Sequence, residues 1–403
     1  MKNLINKKIL LIICGGIAAY KALELIRILK KNSCTVKTIL TKGALEFITP
    51  LSVSSLSNEK VYTDLFNFEN EAEMDHISLS RWADVILFAP VTANKIAQLS
   101  NGLAEDLATT VALASNKDIF LAPAMNVRMW ENKITKENLN KLINSKYNVI
   151  DPNIGEMACG EYGTGKFAEP IEITNIINNY FKNLEENKKF KALITAGPTR
   201  EYIDPVRYIS NRSSGKQGYA LAEELQKNGF QTTLISGPTN LKSPHGVEII
   251  NVNSAQEMFE KTIENLPVNV AIFAAAVADF KVEETKNDKI QKNVFDSLKL
   301  QKTVDILDYT SKHNKLRPKI VIGFAAETKN LEENSINKLN QKNCDWIIAN
   351  DVSNKKIGFD SNYNEVKIFK KNKSKIENIS YNTKEMIAKT LVDRISNELK
   401  ANG

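Results

Sequence analysis

Short hydrophobic runs recur along the chain, and amphipathic stretches with helical periodicity separate them. Continuous apolar runs between helices are typical of parallel strands that are covered on both faces. The pattern therefore predicts an α/β protein with two Rossmann-like, doubly wound domains, which bind ligands at the carboxyl ends of their strands. The runs occupy residues 9–14, 35–40, 85–89, 119–122, 192–196, 232–236, 271–275, 320–324 and 346–349.

The length of 403 residues fits two domains of ordinary size. A polar segment at residues 184–189 precedes the next apolar run, so we place the domain boundary there, between residues 1–187 and residues 188–403. No apolar run reaches the length of about 18 residues that a membrane span requires. The run at residues 9–13 is too short for a secretory signal. We therefore expect a cytoplasmic protein without membrane contacts.

Basic residues exceed acidic ones by 54 to 47, which gives a net charge of +7. These charges are dispersed rather than arranged in a stripe or tail, which argues against nucleic-acid binding but suits anionic substrates. The four cysteines and three histidines show neither a pairing pattern nor the spacing of metal ligands. We therefore expect neither a disulfide framework nor a zinc site.

A loop rich in Gly and Ser connects the predicted strand at residues 190–195 to the predicted helix at residues 219–227. Such a loop lets backbone N–H groups converge on an anion at a helix N-terminus. Its spacing matches neither the Walker loop nor the dinucleotide fingerprint, and a simple helix-capping loop is the alternative. We expect a phosphorylated ligand in the second half of the chain.

Several spaced motifs in residues 1–180 together resemble the homo-oligomeric flavin-containing cysteine decarboxylases. They are G-G-I-A-A-Y-K at 15–21, D-H-I at 75–77, A-P-x-T-A-N at 89–94, P-A-M-N-x-x-M-W at 123–130 and A-C-G-E-Y-G-x-G at 158–165. The resemblance implies bound FMN and an oligomer built from trimers. The FMN contacts that it implies are Gly15, Gly16, Ile17, Ala18, Thr41, Phe47, Pro90, Thr92, Ala93 and Asn94.

Three residues of these motifs are candidate catalytic groups by the same resemblance. His76 would exchange protons, because imidazole titrates near neutrality; a buried histidine bonded to a carbonyl is the alternative. Asn126 would hydrogen-bond the substrate, and a helix N-cap is the alternative. Cys159 would reprotonate an enethiol from a glycine-rich flap; the alternative is a small buried residue.

The second half, from about residue 190 to the end, resembles phosphopantothenoylcysteine synthetase, the CTP-using ligase. The motifs are residues 196–218, A-A-A-V-A-D-F at 274–280, K-I-Q-K at 289–292, G-F-A-A-E-T at 323–328 and A-N-D-V at 349–352. Both halves together resemble the bacterial bifunctional flavoproteins of coenzyme A biosynthesis. The resemblance implies that 4'-phosphopantothenate and cysteine are joined through an acyl-cytidylate, that the product is decarboxylated to 4'-phosphopantetheine, and that the ligase domains dimerise.

Transfer from a triphosphate needs cations, which Mg²⁺ and lysines supply. The resemblance implies that Asn211 holds the acyl-cytidylate, that Lys289 neutralises triphosphate charge, and that Asp279 contacts cytidine or the metal. A turn-forming role is the alternative for Asn211, and a solvated helix face is the alternative for Lys338 and Lys342. The nucleotide contacts that it implies are Ala274, Ala275, Asp279, Lys289, Val304, Asp305, Ile306, Leu307, Phe324, Lys338 and Lys342.

Two positions depart from the family pattern, and two rival functions stay open. Val304 stands where the family has a proline, and Gln291 stands where a lysine is common, which removes one positive charge but leaves Lys289. One rival is a decarboxylase of peptide C-terminal cysteine with a non-catalytic nucleotide-binding module; intact Asn211 and Lys289 argue against it. The other is a non-enzymatic regulatory flavoprotein, which the presence of His76 and Cys159 disfavours.

Overall fold

The chain folds into two compact units, Met1–Lys182 and Asn183–Gly403. A computed structural model describes residues 1–65, 75–291, 297–353, 361–373 and 375–401. Each unit is built around a sheet of largely parallel strands, which confirms the α/β, doubly wound prediction. None of the helices in these described ranges combines the length and the hydropathy needed to cross a bilayer.

The first unit contains the first parallel sheet and a separate hairpin. Its strands are β1 (Lys8–Ile13), β2 (Thr35–Leu40), β3 (Val61–Tyr62), β4 (Val85–Val91), β5 (Asp118–Pro123), β6 (Asn148–Val149), β7 (Asn153–Glu156) and β8 (Tyr162–Lys166). Its helices are α1 (Ala19–Lys31), α2 (Pro50–Ser57), α3 (Asp75–Trp82), α4 (Ala93–Ser100), α5 (Leu107–Ala114), α6 (Val127–Glu131), α7 (Lys133–Asn144) and α8 (Pro170–Asn187), which extends past the division between the units.

The strand order in the first sheet is β3-β2-β1-β4-β5-β6, and all neighbours run parallel. The central strands are apolar along their length because both of their faces are covered, and every residue of β4 is buried. The connections wind outward in opposite directions from β1 and β4. The crevice between these two strands is where a doubly wound sheet binds its ligand.

The second unit repeats this arrangement and adds antiparallel strands at one edge. Its strands are β9 (Lys191–Ala196), β10 (Arg200–Tyr202), β11 (Tyr208–Ser210), β12 (Gln231–Ser236), β13 (Glu248–Asn251), β14 (Val270–Phe273), β15 (Phe280–Val282), β16 (Leu300–Lys302), β17 (Ile320–Glu327), β18 (Trp346–Asp351), β19 (Tyr363–Lys370) and β20 (Glu377–Thr383). Its helices are α9 (Lys216–Lys227), α10 (Ala255–Glu264), α11 (Ile306–Lys312), α12 (Leu331–Gln341) and α13 (Lys384–Ala401).

The main sheet of the second unit has the order β13-β12-β9-β14-β17-β18-β19-β20, in which β19 and β20 are antiparallel. Two apolar clusters cover its faces. Leu221 of α9 and Leu391 of α13 belong to one cluster, and Met258 of α10 and Leu339 of α12 belong to the other. The winding reverses between β9 and β14, so the carboxyl ends of these strands mark the predicted ligand site.

Candidate functional site

The predicted FMN contacts follow neighbouring strands at one edge of the first sheet. Residues 15–18 follow β1, Thr41 and Phe47 follow β2, and residues 90–94 lie at the end of β4 and the start of α4. The Cys14 N–H donates to the Pro90 carbonyl at 3.1 Å, which ties the ends of β1 and β4 together. The structure thus brings these residues to one site. Phe47 follows a short 3₁₀ turn, Ala44–Glu46.

Glycine is required where the β1 and β2 loops meet. A Cβ atom on Gly15 would lie 2.6 Å from the carbonyl carbon of Gly43 and 2.7 Å from its oxygen. Real Cβ atoms do not approach a backbone this closely, so any side chain at Gly15 forces the two loops apart.

We expect Gly15→Ala to lower the flavin content of the purified protein severalfold and to lower its melting temperature, because it displaces the loop that follows β1. The flavin-to-protein absorbance ratio and thermal unfolding measure the two effects. Gly155→Ala is the matched control, because its Cβ would meet chiefly the flexible Lys166 side chain, at 3.0 Å. Equal flavin content in wild type and Gly15→Ala would contradict this role.

A buried ion pair supports the loop that contains the predicted contacts Thr92 and Asn94. Thr92 caps α4 by accepting the Lys95 N–H, and Lys95 Nζ lies 2.6 Å from Asp106 Oδ2. Burial opposes the ionisation of Asp106, but hydrogen bonds from Lys95 and Thr109 outweigh it and lower the pKa of the carboxyl. The sequence analysis did not predict this ion pair, because no motif links Lys95 to Asp106 and the two residues meet only in the folded structure.

Asn126 and the Cys159 hairpin lie side by side. Asn126 caps α6, since its Oδ1 accepts the Met129 N–H at 2.9 Å, as the alternative reading predicted. Its Nδ2 has no hydrogen-bond partner among the described residues. The Met125 N–H donates to the Gly165 carbonyl at 3.1 Å, which joins the segment before α6 to β8. The flap that carries Cys159 is therefore anchored next to Asn126.

The four cysteines differ sharply in exposure. Burial raises the pKa of the thiols of Cys14 and Cys344 to about 12 and that of Cys34 to about 11. Cys159 is exposed in the turn between β7 and β8, and its Sγ donates to Glu161 Oε2 at 3.9 Å. Only an accessible thiol can reach a substrate, so the buried alternative for Cys159 is wrong.

His76 is partly buried in α3, which packs against α5. No hydrogen bond or ion pair joins it to the predicted FMN contacts among the residues that the structure describes. A cavity of about 590 Å³ elsewhere in the first unit is lined by Trp130, Tyr147 and Ile176, and it contains none of those contacts. The predicted FMN contacts instead lie at the carboxyl ends of β1, β2 and β4. A proton-transfer role for His76 stays a prediction.

A cavity of about 1080 Å³ lies at the carboxyl ends of β9, β14, β17 and β18 in the second unit. Its cationic lining residues outnumber its acidic ones, Asp279 and Asp305. The cationic residues are Arg212, Lys216, Lys302, Lys338, Lys342 and Lys384. A cavity with this balance of charge favours an anionic ligand. All the predicted nucleotide contacts except Lys289 line it, as does Asn211.

The wall beside Asn211 is made of main chain. The predicted strand at 271–275 ends at Phe273. The Ala274 and Ala275 N–H groups both donate to Thr195 near the end of β9. The Ala276 N–H donates to the Gly197 carbonyl at 2.9 Å. Asn211 Nδ2 donates to the Val277 carbonyl at 2.8 Å and leaves Oδ1 available as an acceptor.

Lys342 and Asp305 form an ion pair on the cavity wall. Lys342 Nζ lies 2.7 Å from Asp305 Oδ2, and Asp305 also caps α11 by accepting the Asp308 N–H at 2.8 Å. Burial opposes the ionisation of Asp305, but the hydrogen bonds from Lys342 and the Asp308 N–H and the positive charges of Lys342 and Lys338 together outweigh it and lower the pKa of the carboxyl. Lys338 Nζ donates to the Phe324 carbonyl at 3.0 Å. Both lysines line the cavity, so a purely solvated helix face does not describe them.

Lys289 is exposed on a loop and is not among the cavity-lining residues. The next residue is anchored, since the Ile290 N–H donates to Asp204 Oδ2 at 3.2 Å and its carbonyl accepts from Arg207. Lys292 lies outside the described residues. The role of Lys289 in triphosphate binding therefore stays a prediction.

A metal site made by the protein alone is not found in the part of the chain that the structure describes, where no three His, Cys, Asp or Glu side chains are grouped to hold an ion. Asp279, the predicted metal contact, is exposed and lines the cavity. Asp279 and Asp305 are the two carboxylates that the cavity lining offers to a metal ion.

Comparisons with known proteins cover both units. The flavoprotein family matches residues 1–182, and the DNA/pantothenate metabolism flavoprotein C-terminal domain matches residues 187–399. The coenzyme A biosynthesis bifunctional protein CoaBC of Haemophilus influenzae is 44% identical over 392 residues, which cover 97% of each chain. The crystal structure of the C-terminal domain of a CoaBC protein is 37% identical, with 53% of this chain and 99% of that chain covered and a TM-score of 0.45. The FMN-binding protein AtHal3 is 32% identical over 44% of this chain and 97% of that chain, with a TM-score of 0.41.

Proposed function

The chain belongs to the family of bifunctional proteins of coenzyme A biosynthesis, and we propose that its two reactions are divided between residues 1–187 and residues 188–403. It is an enzyme that combines a flavoprotein decarboxylase with a ligase. In this proposal the second domain joins cysteine to 4'-phosphopantothenate at the expense of CTP. The first domain then decarboxylates 4'-phosphopantothenoylcysteine to 4'-phosphopantetheine.

The cavity of about 1080 Å³ in the second unit carries the ligase proposal. It is large enough for a nucleotide and a small acid, and its lysines offset the charge of a triphosphate. The acid's carboxylate attacks the α-phosphorus of CTP, which releases pyrophosphate and leaves an acyl-cytidylate beside Asn211. The amine of cysteine then displaces CMP. Lys338 and Lys342 line the nucleotide site, and Asp279 would coordinate the Mg²⁺ ion that is bound to CTP.

The strand ends of the first sheet support FMN as the flavin. A Cβ atom on Gly16 would meet nothing within 4 Å, which leaves space for a flat ring or a phosphate, and Ile17 and Phe47 offer exposed apolar surface. FMN would accept a hydride from the carbon that bears the thiol, which makes the neighbouring carboxylate able to leave as CO₂, and would return that hydride to the enethiol. Asn126 holds the substrate through its Nδ2, His76 exchanges a proton, and Cys159 protonates the enethiol product.

We also propose a homo-oligomer that works in the cytoplasm. Large apolar side chains are exposed at the predicted flavin contacts or next to them in the sequence, namely Ile17 at 60%, Tyr20 at 57% and Phe47 at 48%. A second subunit would cover such a patch and would close the open edge at which FMN binds. We expect the first domain to form trimers and the second domain to form dimers. Sedimentation of the flavin-loaded protein measures the number of subunits in the assembly.

One assay tests both reactions. The purified full-length protein is incubated with 4'-phosphopantothenate, cysteine, CTP and Mg²⁺, and products are followed by mass spectrometry. We expect pyrophosphate and CMP to form with 4'-phosphopantothenoylcysteine, followed by 4'-phosphopantetheine. A protein that fails to consume CTP in this assay but still decarboxylates supplied 4'-phosphopantothenoylcysteine would refute the ligase half and favour a binding role for the second domain.

A further inference from the structure

Asp204 is a fully buried carboxylate on the hairpin that leads to Asn211. The hairpin consists of β10 and β11, and Asp204 is 0% exposed in the turn between them. Its Oδ1 accepts the Val206 N–H and the Arg207 N–H, each at 2.8 Å. Its Oδ2 accepts the Ile290 N–H at 3.2 Å and Arg207 Nη1 at 3.3 Å. The carboxylate therefore joins its own turn to a segment 86 residues further along the chain.

The ionised form of Asp204 is stabilised by the segment that it holds. Burial opposes the ionisation of this carboxyl, but the hydrogen bonds from the Val206, Ile290 and Arg207 N–H groups, together with the positive charge of Arg207, outweigh it and lower its pKa. A buried charge requires such partners. Since one of them is the Ile290 N–H, the ionised carboxylate favours the docked segment.

Two further contacts hold the same segment on the hairpin. Arg207 Nη1 donates to the Ile290 carbonyl at 3.3 Å, so both polar groups of the Ile290 main chain are bonded. The Lys286 N–H donates to the Ile203 carbonyl at 3.1 Å. The main chain of residues 287–289 therefore lies between anchored residues on both sides.

The anchored segment and the hairpin both continue into the ligase cavity. The segment follows β15, whose Phe280 lines the cavity together with Lys302 of the paired strand β16. The hairpin leads into Asn211, which also lines the cavity. Lys289 is exposed, so its side chain can move while its main chain is held. One hairpin thus supports Asn211 and the loop that carries Lys289.

We propose that Asp204 is a positioning residue of the ligase, which fixes the main chain beside Lys289 so that the lysine meets the triphosphate of CTP. The proposal rests on the ligase function above and on the triphosphate role predicted for Lys289. A loop that is anchored before the nucleotide arrives loses less conformational entropy when its lysine binds. Correct placement of a group that acts on the reacting phosphate also raises the rate of the chemical step.

Asp204→Asn tests this role with the smallest change of shape. The amide oxygen can keep the two bonds within the turn, but the amide NH₂ cannot accept the Ile290 N–H. We expect the rate of pyrophosphate release from CTP and 4'-phosphopantothenate to fall about 10- to 100-fold, because the loop is no longer held in place. Hydrogen exchange in the peptide of residues 285–290 should become faster. Decarboxylation of supplied 4'-phosphopantothenoylcysteine should be unchanged.

A double-mutant cycle separates positioning from a general structural defect. Calorimetry measures the affinity for CTP with Mg²⁺ in wild type, Asp204→Asn, Lys289→Gln and the double variant. We expect Lys289→Gln to weaken binding about 10- to 100-fold, and Asp204→Asn to weaken it by no more than that. The double variant should bind as Lys289→Gln does, because Asp204 acts through the lysine. An equal loss from Asp204→Asn with and without Lys289 would overturn the proposal.

Glu201→Gln is the matched control on the same hairpin. Glu201 is also a buried carboxylate, but it accepts the Ala255 N–H at 2.8 Å instead of a group of the loop, so this variant should behave as wild type. If the melting temperature shows that Asp204→Asn does not fold, Arg207→Met takes its place in the cycle, because it removes the donor to the Ile290 carbonyl. A folded Asp204→Asn with pyrophosphate release within about twofold of wild type refutes the positioning role.

Failure of the ligase function gives a different pattern. A wild type that binds CTP but releases no pyrophosphate refutes the ligase function, and the cycle in CTP affinity then decides the role of Asp204 by itself. A wild type that releases pyrophosphate while Asp204→Asn matches it refutes the role of Asp204 alone. A wild type that binds no CTP refutes both.

Discussion

Replacement of Asn211 by Asp is expected to stop the ligase after the acyl-cytidylate has formed. The Asn211 amide donates to the Val277 carbonyl at 2.8 Å, beside the main-chain wall of the cavity. A carboxylate cannot donate this bond and adds negative charge next to an anionic intermediate. Loss of a donor at a reacting centre costs about 100- to 1000-fold in rate. We therefore expect the formation of 4'-phosphopantothenoylcysteine to fall by at least the lower factor.

The acyl-cytidylate itself is the readout that separates this outcome from general inactivation. Acid quenching and mass spectrometry should find it in amounts close to the enzyme concentration, together with a single burst of pyrophosphate. Asn265→Asp is the matched control, because the Asn265 amide also donates to a carbonyl, that of Lys261 at 2.9 Å, but at the end of α10. Amide formation by Asn211→Asp at the wild-type rate would show that Asn211 is only a turn residue.

The hydrophobic runs predicted the central strands because a strand that is buried on both faces consists almost entirely of apolar residues. The runs at residues 35–40 and 320–324 lie within β2 and β17. The same reasoning overextended the run at 271–275, whose last two residues leave β14 to bond with Thr195. It also did not predict the antiparallel extension by β19 and β20. The first half of β19 alternates buried and exposed residues, and Ile379 is the one buried residue of β20, so neither strand is a continuous apolar run.

The sequence predicted those residues of the candidate site that belong to short sequence motifs, and it did not predict the others. Motifs at strand ends converge because parallel strands share an edge, which is why Asn211 and Phe324 line one cavity. Lys384 has no such signal, since it begins a helix far along the chain and reaches the cavity only because α13 packs on α9. Asn126 shows that alternatives can coexist: its Oδ1 caps a helix while its Nδ2 stays available to a substrate.

Replacement of Cys159 by Ser is expected to change the product of the decarboxylase rather than to abolish CO₂ release. Decarboxylation of the oxidised substrate yields an enethiol, and the final product requires a hydride and a proton on its double bond. Cys159 is the exposed cysteine, on a hairpin anchored next to Asn126. A hydroxyl is a far weaker acid than a thiol. Loss of a general acid slows its step by about 100- to 10,000-fold, so the enethiol should leave first.

The released compound distinguishes this role from a structural one. In aerated buffer, mass spectrometry with supplied 4'-phosphopantothenoylcysteine should find a product that has two hydrogen atoms fewer than 4'-phosphopantetheine. CO₂ is still formed, because dissolved O₂ would take up the hydride that release of the enethiol leaves on FMN. Cys34→Ser is the control, because Cys34 is buried and a serine hydroxyl can keep the hydrogen bond that its Sγ donates to the Leu4 carbonyl at 3.3 Å. That variant should make the normal product even if it is less stable. Normal 4'-phosphopantetheine from Cys159→Ser would mean that the proton comes from another group, and His76 would then be the next residue to replace.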